Sequence, residues 1–127
     1  MAVSPSYTAT PRTERGLLSV ANTNRDGTGT IVNLFTAALT GSRVERITIC
    51  ATGTTTVGMI RFFITADNTN KDLYLETPVS AITPTSTNIA YYRQFSSLAI
   101  ILASGDILSS STNNAENFRV IVEGGDF

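Results

Sequence analysis

The stretch that decides the fold is Arg43-Val-Glu-Arg-Ile-Thr-Ile-Cys-Ala-Thr52, followed by the turn Gly53-Thr-Thr-Thr56 and by Val57-Gly-Met-Ile-Arg-Phe-Phe-Ile-Thr65. Because side chains alternate between the two faces of a strand, Ile47 and Ile49 share one face of the first segment. The second segment is apolar on both faces. It therefore predicts a strand that lies in the middle of a sheet or has one face at a contact between subunits.

The rest of the chain repeats this pattern of strand-like segments and turns rich in Thr, Asn and Gly. Turn signals recur about every 8–12 residues, which is typical of a β-sandwich or jelly roll. No helical periodicity persists for three turns, although 98–102 is either a buried strand or a single helical turn. The sequence predicts an all-β fold, an antiparallel, jelly-roll-like β-sandwich. The strand-like segments are 17–20, 30–36, 43–52, 57–65, 73–77, 89–95, 98–102, 107–111 and 117–123.

The first 16 residues differ from the rest, because they contain Pro5 and Pro11 and show no hydrophobic periodicity. Proline lacks a backbone N–H and favours extended conformations. We therefore expect an extended N-terminal arm over 1–16 and a β-sandwich domain over 17–127. The arm is either a frayed terminus or a strap that lies on a neighbouring subunit.

The composition argues against an enzyme. The chain contains no His, and a nucleophile therefore lacks its most common general base. Its single cysteine, Cys50, lies in the middle of a predicted strand, as a small packed side chain does. The carboxylates that could form a hydrolytic pair, Glu45, Glu76, Glu116 and Glu123, lie beside turns or on solvated strand faces, and we expect them to be surface charges.

The charge and the termini limit the partners. The net charge is −1, so no basic surface is expected to attract nucleic acid or an anionic membrane. The single cysteine excludes an internal disulfide, and the start of the chain has neither the basic nor the apolar region of a signal peptide. We therefore expect a protein that does not depend on the secretory pathway.

One polar loop is similar to the start of a calcium-binding loop, because Asn22, Asn24 and Asp26 alternate along it. Two of these side chains are neutral amides, and Asn33 stands where such a loop has a bidentate glutamate. A hydrogen-bonded Asx-type turn is the favoured interpretation, and its Asp-Gly dipeptide is a hairpin signal. The tip at 67–72 has the same character. We expect no metal and no cofactor.

Surplus aromatic area and the proline-containing arm indicate contacts with other proteins. More ring area lies on the aromatic strands than one buried face requires. The arm residues are the first candidates for partner contact, and an arginine and aromatic set is the second, for contacts between subunits. The candidate residues are Val3, Pro5, Tyr7, Pro11, Arg12, Arg15, Arg61, Tyr91, Tyr92 and Arg93.

Several segments together resemble a group of small all-β virion proteins of tailed bacteriophages, which include capsid decoration, or cement, proteins. The resemblance covers nearly the whole chain, from about Val3 to Phe127, and lies in the pattern rather than in a chemical signature. The segments are Asn22-Thr-Asn-Arg-Asp-Gly-Thr, Gly41-Ser-Arg-Val-Glu-Arg-Ile, Ala51-Thr-Gly-Thr-Thr-Thr-Val-Gly-Met-Ile-Arg-Phe-Phe-Ile, Ser111-Thr-Asn-Asn-Ala-Glu-Asn-Phe and the closing Gly-Gly-Asp-Phe.

The resemblance implies a non-enzymatic subunit on the surface of the virion head, assembled in the cytoplasm of the host bacterium. Such a protein binds the major capsid protein, stabilises the shell and forms homo-oligomers, of which we favour a trimer. Two alternatives remain open at this point. One is a tail, neck or fibre component of the virion. The other is a carbohydrate-binding module, against which the absence of Trp counts.

Overall fold

The structure is a computed structural model, and it describes residues 9–66 and 70–127. Within these residues the chain forms strands and no helix, and the strands lie in two antiparallel sheets that pack against each other. The predicted all-β sandwich is confirmed. The strands are β1 (Thr10–Leu18), β2 (Val32–Thr36), β3 (Ser42–Ala51), β4 (Gly58–Thr65), β5 (Lys71–Val79), β6 (Tyr92–Phe95), β7 (Ile100–Leu102), β8 (Ile107–Thr112) and β9 (Phe118–Asp126).

The strand pairing has the nested order of a jelly roll. The antiparallel pairs are β1 with β9, β2 with β8, β3 with β6 and β4 with β5, so the chain doubles back on itself around the β4–β5 connection. Pairing of β9 with β3 and of β8 with β4 rolls this ribbon into the sheets β1-β9-β3-β6 and β2-β8-β4-β5. The short strand β7 also pairs with β3. This order is that of a double-sheet jelly roll with one additional strand.

The inner faces of the two sheets form one hydrophobic core. Ile47 and Ile49 of β3 lie in it, as their alternation predicts, and so do Val120 and Val122 of β9. From the second sheet, β4 contributes Phe62, which is fully buried. Burial of apolar side chains from both sheets is the main stabilising contribution, since each such residue contributes about 1.5–3 kcal/mol.

A second buried layer lies outside the second sheet. β4 runs between β8 and β5, as the apolar character of both its faces predicts. Phe63 points away from the main core, because it follows Phe62 and pairs with Ser109 of β8, yet it is also fully buried. Another segment must therefore cover this face of the sheet. The loop 19–31 between β1 and β2 makes contacts with this sheet.

Polar contacts hold this loop on the sheet. The Asn22 backbone N–H donates to the Thr112 carbonyl at the end of β8, and the Arg25 guanidinium pairs with Glu76 of β5. Within the loop the Thr28 backbone N–H donates to the Asp26 carboxylate at 3.1 Å, which confirms the Asx-type turn. The hairpin prediction at the Asp-Gly dipeptide is wrong, because β1 and β2 belong to different sheets and the loop crosses between them.

The predicted boundary between arm and domain differs from the structure. β1 begins at Thr10 and pairs with β9 in continuous register up to Leu18, so residues 10–16 of the expected arm form part of the first sheet. The core-facing side of β1 carries charged and small side chains, which hide the strand periodicity. Pro11 is tolerated because, among the described strands, β1 is an edge strand that pairs with β9 alone. Residues 1–8 lie outside the described residues.

The described residues contain no helix with the length and apolar character needed to cross a lipid bilayer.

Candidate interaction surface

The predicted contact residues fall in several places. Val3, Pro5 and Tyr7 lie outside the described residues. Arg15 and Tyr92 lie on one solvent-facing side of the first sheet. The others line grooves or are buried, as described below.

The first sheet has one face that none of the described residues covers with a further layer, here called the open face. Because Val120 and Val122 point into the core, the residues that alternate with them along β9 point outward. The strand register extends this alternation to the neighbouring strands. One row across the sheet runs Leu17, Arg119, Cys50, Tyr92. The open face comprises Thr13, Arg15, Leu17, Arg46, Thr48, Cys50, Tyr92, Gln94, Arg119, Ile121 and Glu123.

The middle of the open face combines exposed apolar groups with arginines. Tyr92 is 52% exposed and Leu17 is 43% exposed, although both lie within paired strands. Ile121 is half-buried between them, and Arg119 is exposed. Tyrosine and arginine are enriched at protein–protein contacts, because they combine large contact area with hydrogen-bonding groups. This part of the face can therefore bind another protein surface.

Hydrogen bonds order the rest of the open face. The Arg46 guanidinium forms two hydrogen bonds to the Glu123 carboxylate, the shorter of 2.6 Å. The Gln94 side-chain amide donates to the Thr48 hydroxyl at 3.1 Å. These contacts bridge β9 to β3 and β3 to β6, so the face is held by side-chain contacts in addition to the backbone ladder.

A groove of about 390 Å³ lies at one end of this face and is lined by Pro11, Arg12, Arg46 and Ser97 among others. Arg12 is fully engaged within the chain. Its guanidinium donates to Asp126 at 2.8 Å and to Glu14 at 3.1 Å, and it lies 4.2 Å from the centre of the Phe35 ring. These contacts close the edge between the two sheets.

Asp126 makes this closure sensitive to acid. Hydrogen bonds from Arg12 and then from the Ser42 hydroxyl hold the pKa of Asp126 below its ordinary value. Since the folded state binds this proton less readily than the unfolded chain, the contribution to stability is present at neutral pH. It is lost as the pH falls below the ordinary aspartate pKa of about 3.9 toward the lowered folded value.

We expect the Asp126→Asn variant to lose stability less steeply than the wild-type protein between about pH 5 and pH 3, because it lacks this titration. Denaturant unfolding at a series of pH values measures the slope. The wild-type protein, measured in the same buffers, is the reference for this slope. Equal slopes for wild-type and Asp126→Asn would show that Asp126 does not contribute.

Tyr91 and Arg93 line a second groove, of about 450 Å³, between β6 and the end of β5. Tyr91 is buried, and its hydroxyl donates to the Pro78 carbonyl at 2.9 Å while its ring meets Phe118 edge to face. Arg93 is exposed, and its guanidinium lies 5.0 Å from the centre of the Phe95 ring. Tyr91 is therefore part of the core, and Arg93 lies at the rim.

Arg61, an expected subunit contact, is only 3% exposed. Its Nε donates to Glu76 at 3.0 Å, and its Nη1 donates to the Asn113 side-chain oxygen at 3.2 Å. Arg61 lies on the same side of β4 as Phe63, next to the loop 19–31. Its contacts within the chain join this loop to the second sheet.

The carboxylates considered for hydrolysis are each held by a separate group. Glu45 pairs with Arg43, and Glu116 accepts hydrogen bonds from the backbone and hydroxyl of Thr56. Glu76 and Glu123 pair with arginines, as described above. Among the residues that the structure describes, no group of three His, Cys, Asp or Glu side chains is close enough to hold a metal ion.

The residues beside Tyr92 that give the middle of the open face its apolar and basic character, namely Leu17, Arg119 and Ile121, were not among the sequence candidates. The alternation of 117–123 contains a signal for two of them, because inward Phe118, Val120 and Val122 require outward Arg119 and Ile121. Nothing in the sequence indicates which outward faces remain uncovered.

No protein-family model matches the chain, and no curated protein matches it.

Proposed function

We propose that this chain is a non-enzymatic structural protein of a tailed-bacteriophage virion. In this proposal it binds the major capsid protein on the outside of the head and stabilises the shell as a decoration subunit, with a homotrimer as the favoured assembly. The observation that carries the proposal is the open face, an ordered sheet surface with exposed Leu17, Tyr92 and arginines beside them.

Three features support the proposal together. The sequence pattern resembles small virion proteins of tailed phages. The strand order is that of a jelly roll, an architecture used in viral capsid and lectin domains. The open face has the mixed apolar and arginine character of a protein contact. Because fold alone does not fix function, the open face is the part that must be tested.

The decisive experiment is binding to heads that lack the protein. Purified wild-type protein is titrated onto such heads, and its occupancy is measured by sedimentation and by cryo-EM. We expect saturable binding at regular lattice positions. Tyr92→Ser should weaken this binding about tenfold or more, since truncating an interface tyrosine typically costs more than 1 kcal/mol.

Tyr74→Ser is the matched control for Tyr92→Ser. Tyr74 is 47% exposed and lies on β5 in the other sheet, so the same substitution there should leave head binding unchanged. Equal effects of the two substitutions would remove the open face as the contact. Deletion of 2–8 tests the arm residues Val3, Pro5 and Tyr7 without removing β1, and undiminished binding would exclude the arm from the contact.

The two alternative functions predict different experimental results. A tail, neck or fibre component would be located by cryo-EM away from the head and in few copies. A carbohydrate-binding module would bind sugars on a glycan array and not the head, and its lectin-like architecture is the reason to test it. Either result would replace the decoration proposal.

A further inference from the structure

The arginines of the described residues fall into two groups. Most have carboxylate partners: Arg12 pairs with Asp126 and Glu14, Arg43 with Glu45, Arg46 with Glu123, and both Arg25 and Arg61 with Glu76. Arg15, Arg93 and Arg119 have no carboxylate partner among the residues that the structure describes. Arg93 instead stacks on a ring of its own chain.

Arg15 and Arg119 lie next to each other on the open face. Arg119 pairs with Leu17 across the β1–β9 ladder, and Arg15 is two residues along β1 on the same side. Diagonal neighbours of this kind have their Cα atoms about 7 Å apart. Two like charges at this spacing repel each other, and the only acid on the open face, Glu123, already binds Arg46.

The surroundings of the two arginines favour a protein as the ligand. Leu17 and Ile121 lie beside them, since Leu17 pairs with Arg119 and Ile121 with Arg15, and Tyr92 lies at the far end of the row. A nucleic acid would be held by a broad basic surface, whereas this chain has a net charge of −1. Guanidinium groups flanked by apolar side chains match a protein surface that carries carboxylates, since an arginine binds a carboxylate through two parallel hydrogen bonds.

We propose that Arg15 and Arg119 form an acceptor site for two carboxylates of a partner protein, and that Leu17, Ile121 and Tyr92 make the apolar contact beside it. This inference rests on the proposed function, and it adds the chemistry of the partner: the shell surface beneath the open face is acidic. The ion pairs supply orientation and fast association, and the apolar residues supply contact area.

The test measures binding to emptied heads that lack the protein, at several NaCl concentrations. The double variant Arg15→Gln/Arg119→Gln should bind about tenfold more weakly at low salt and should lose most of the salt dependence of the wild-type protein. Thermal unfolding checks that the variant is folded. Arg25→Gln is the control, because it makes the same type of substitution at one arginine of the loop over the other sheet, and it should bind like the wild-type protein.

The outcomes separate the two proposals. If the wild-type protein does not bind heads at all, the proposed function fails, and this inference falls with it. If the wild-type protein binds and the double variant binds equally well, or if Arg25→Gln weakens binding as much, the carboxylate site is overturned while the proposed function stands. A short DNA duplex serves as a second probe. Arginine-dependent binding of that duplex would assign the site to phosphate instead.

Discussion

Replacing Gly124 by alanine should remove a large part of the stability of this protein. Gly124 lies in β9, where it pairs with Val44 next to a bulge in β3. A Cβ atom at this position would overlap the Arg43 carbonyl oxygen and would lie 2.9 Å from the Val44 Cα. Both are backbone atoms of the paired strand, so no side-chain rotation can relieve the overlap.

The expected cost of Gly124→Ala is about 3 kcal/mol or more, at the upper end of what overpacking costs, because the two strands must separate. A domain of this size is stable by about 5–15 kcal/mol in total. Thermal and denaturant unfolding measure the loss, and a decrease in the melting temperature of about 10 °C or more is expected.

Gly53→Ala is the matched control. Gly53 lies in the turn between β3 and β4, and nothing lies within 4 Å of a Cβ built on it. We expect a change of less than about 0.5 kcal/mol, as for other surface substitutions. If Gly124→Ala unfolds at the same temperature as Gly53→Ala, the close approach of β9 to β3 is not present in solution.

Removing the Glu76 side chain should give the second large effect. Glu76 Oε1 accepts hydrogen bonds from Arg61, at 3.0 Å, and from Arg25. In Glu76→Ala the acceptors that the described residues leave to the buried Arg61 guanidinium are neutral oxygens, those of the Asn113 side chain and the Asn22 carbonyl. An unpaired buried charge costs about 3–5 kcal/mol, and we expect the lower end because Glu76 is partly exposed.

A double variant that replaces both members of the ion pair by apolar residues tests the same prediction in a second way. Glu76→Leu combined with Arg61→Met removes both charges and keeps apolar volume, so it should recover most of the stability that Glu76→Ala loses. Asp72→Ala removes an exposed carboxylate from the same strand and should cost less than about 0.5 kcal/mol. Free energies of unfolding from urea titration of the three variants test these expectations. A Glu76→Ala value equal to that of Asp72→Ala would show that Arg61 does not depend on this partner.

Glu76 also contributes to acid sensitivity. Hydrogen bonds from Arg25 and then from Arg61 hold its pKa below the ordinary value. Its contribution, like that of Asp126, is present at neutral pH and is lost as the pH falls through the carboxyl range.

The strands with apolar side chains on their inward faces could be predicted from the sequence. The alternation in 43–52 and in 117–123 places Ile47, Ile49 and Val120 in the core, where the structure has them. β1 could not be recognised in the same way, because Arg12, Glu14 and Gly16 alternate with its outward residues. Gly16 leaves room for Leu34 of β2, and Arg12 covers Phe35. These contacts between the two sheets replace apolar side chains of β1, and they can be recognised only when the arrangement of both sheets is known.

The candidate surface shows the same division. Arg15 and Tyr92 were identified separately, the first in a supposed arm and the second in a strand with aromatic side chains. They share one face because β1, β9, β3 and β6 pair in a register that joins positions far apart in the chain. Arg61 and Tyr92 are both residue types that are common at protein contacts, but of the two only Tyr92 is exposed.

The sequence by itself determined most of the strand-forming segments, with β1 as the exception, and the turns between them. It also determined which side of a strand faces the core, where apolar side chains alternate along that strand. These are local properties, since a strand has a period of two residues and a turn depends on a few neighbours. Only the tertiary structure decided which strands pair, that the loop 19–31 contacts Arg61, and that the described residues leave the outer face of the first sheet open. Pairing and covering depend on contacts between segments distant in the chain, and local alternation carries no information about them.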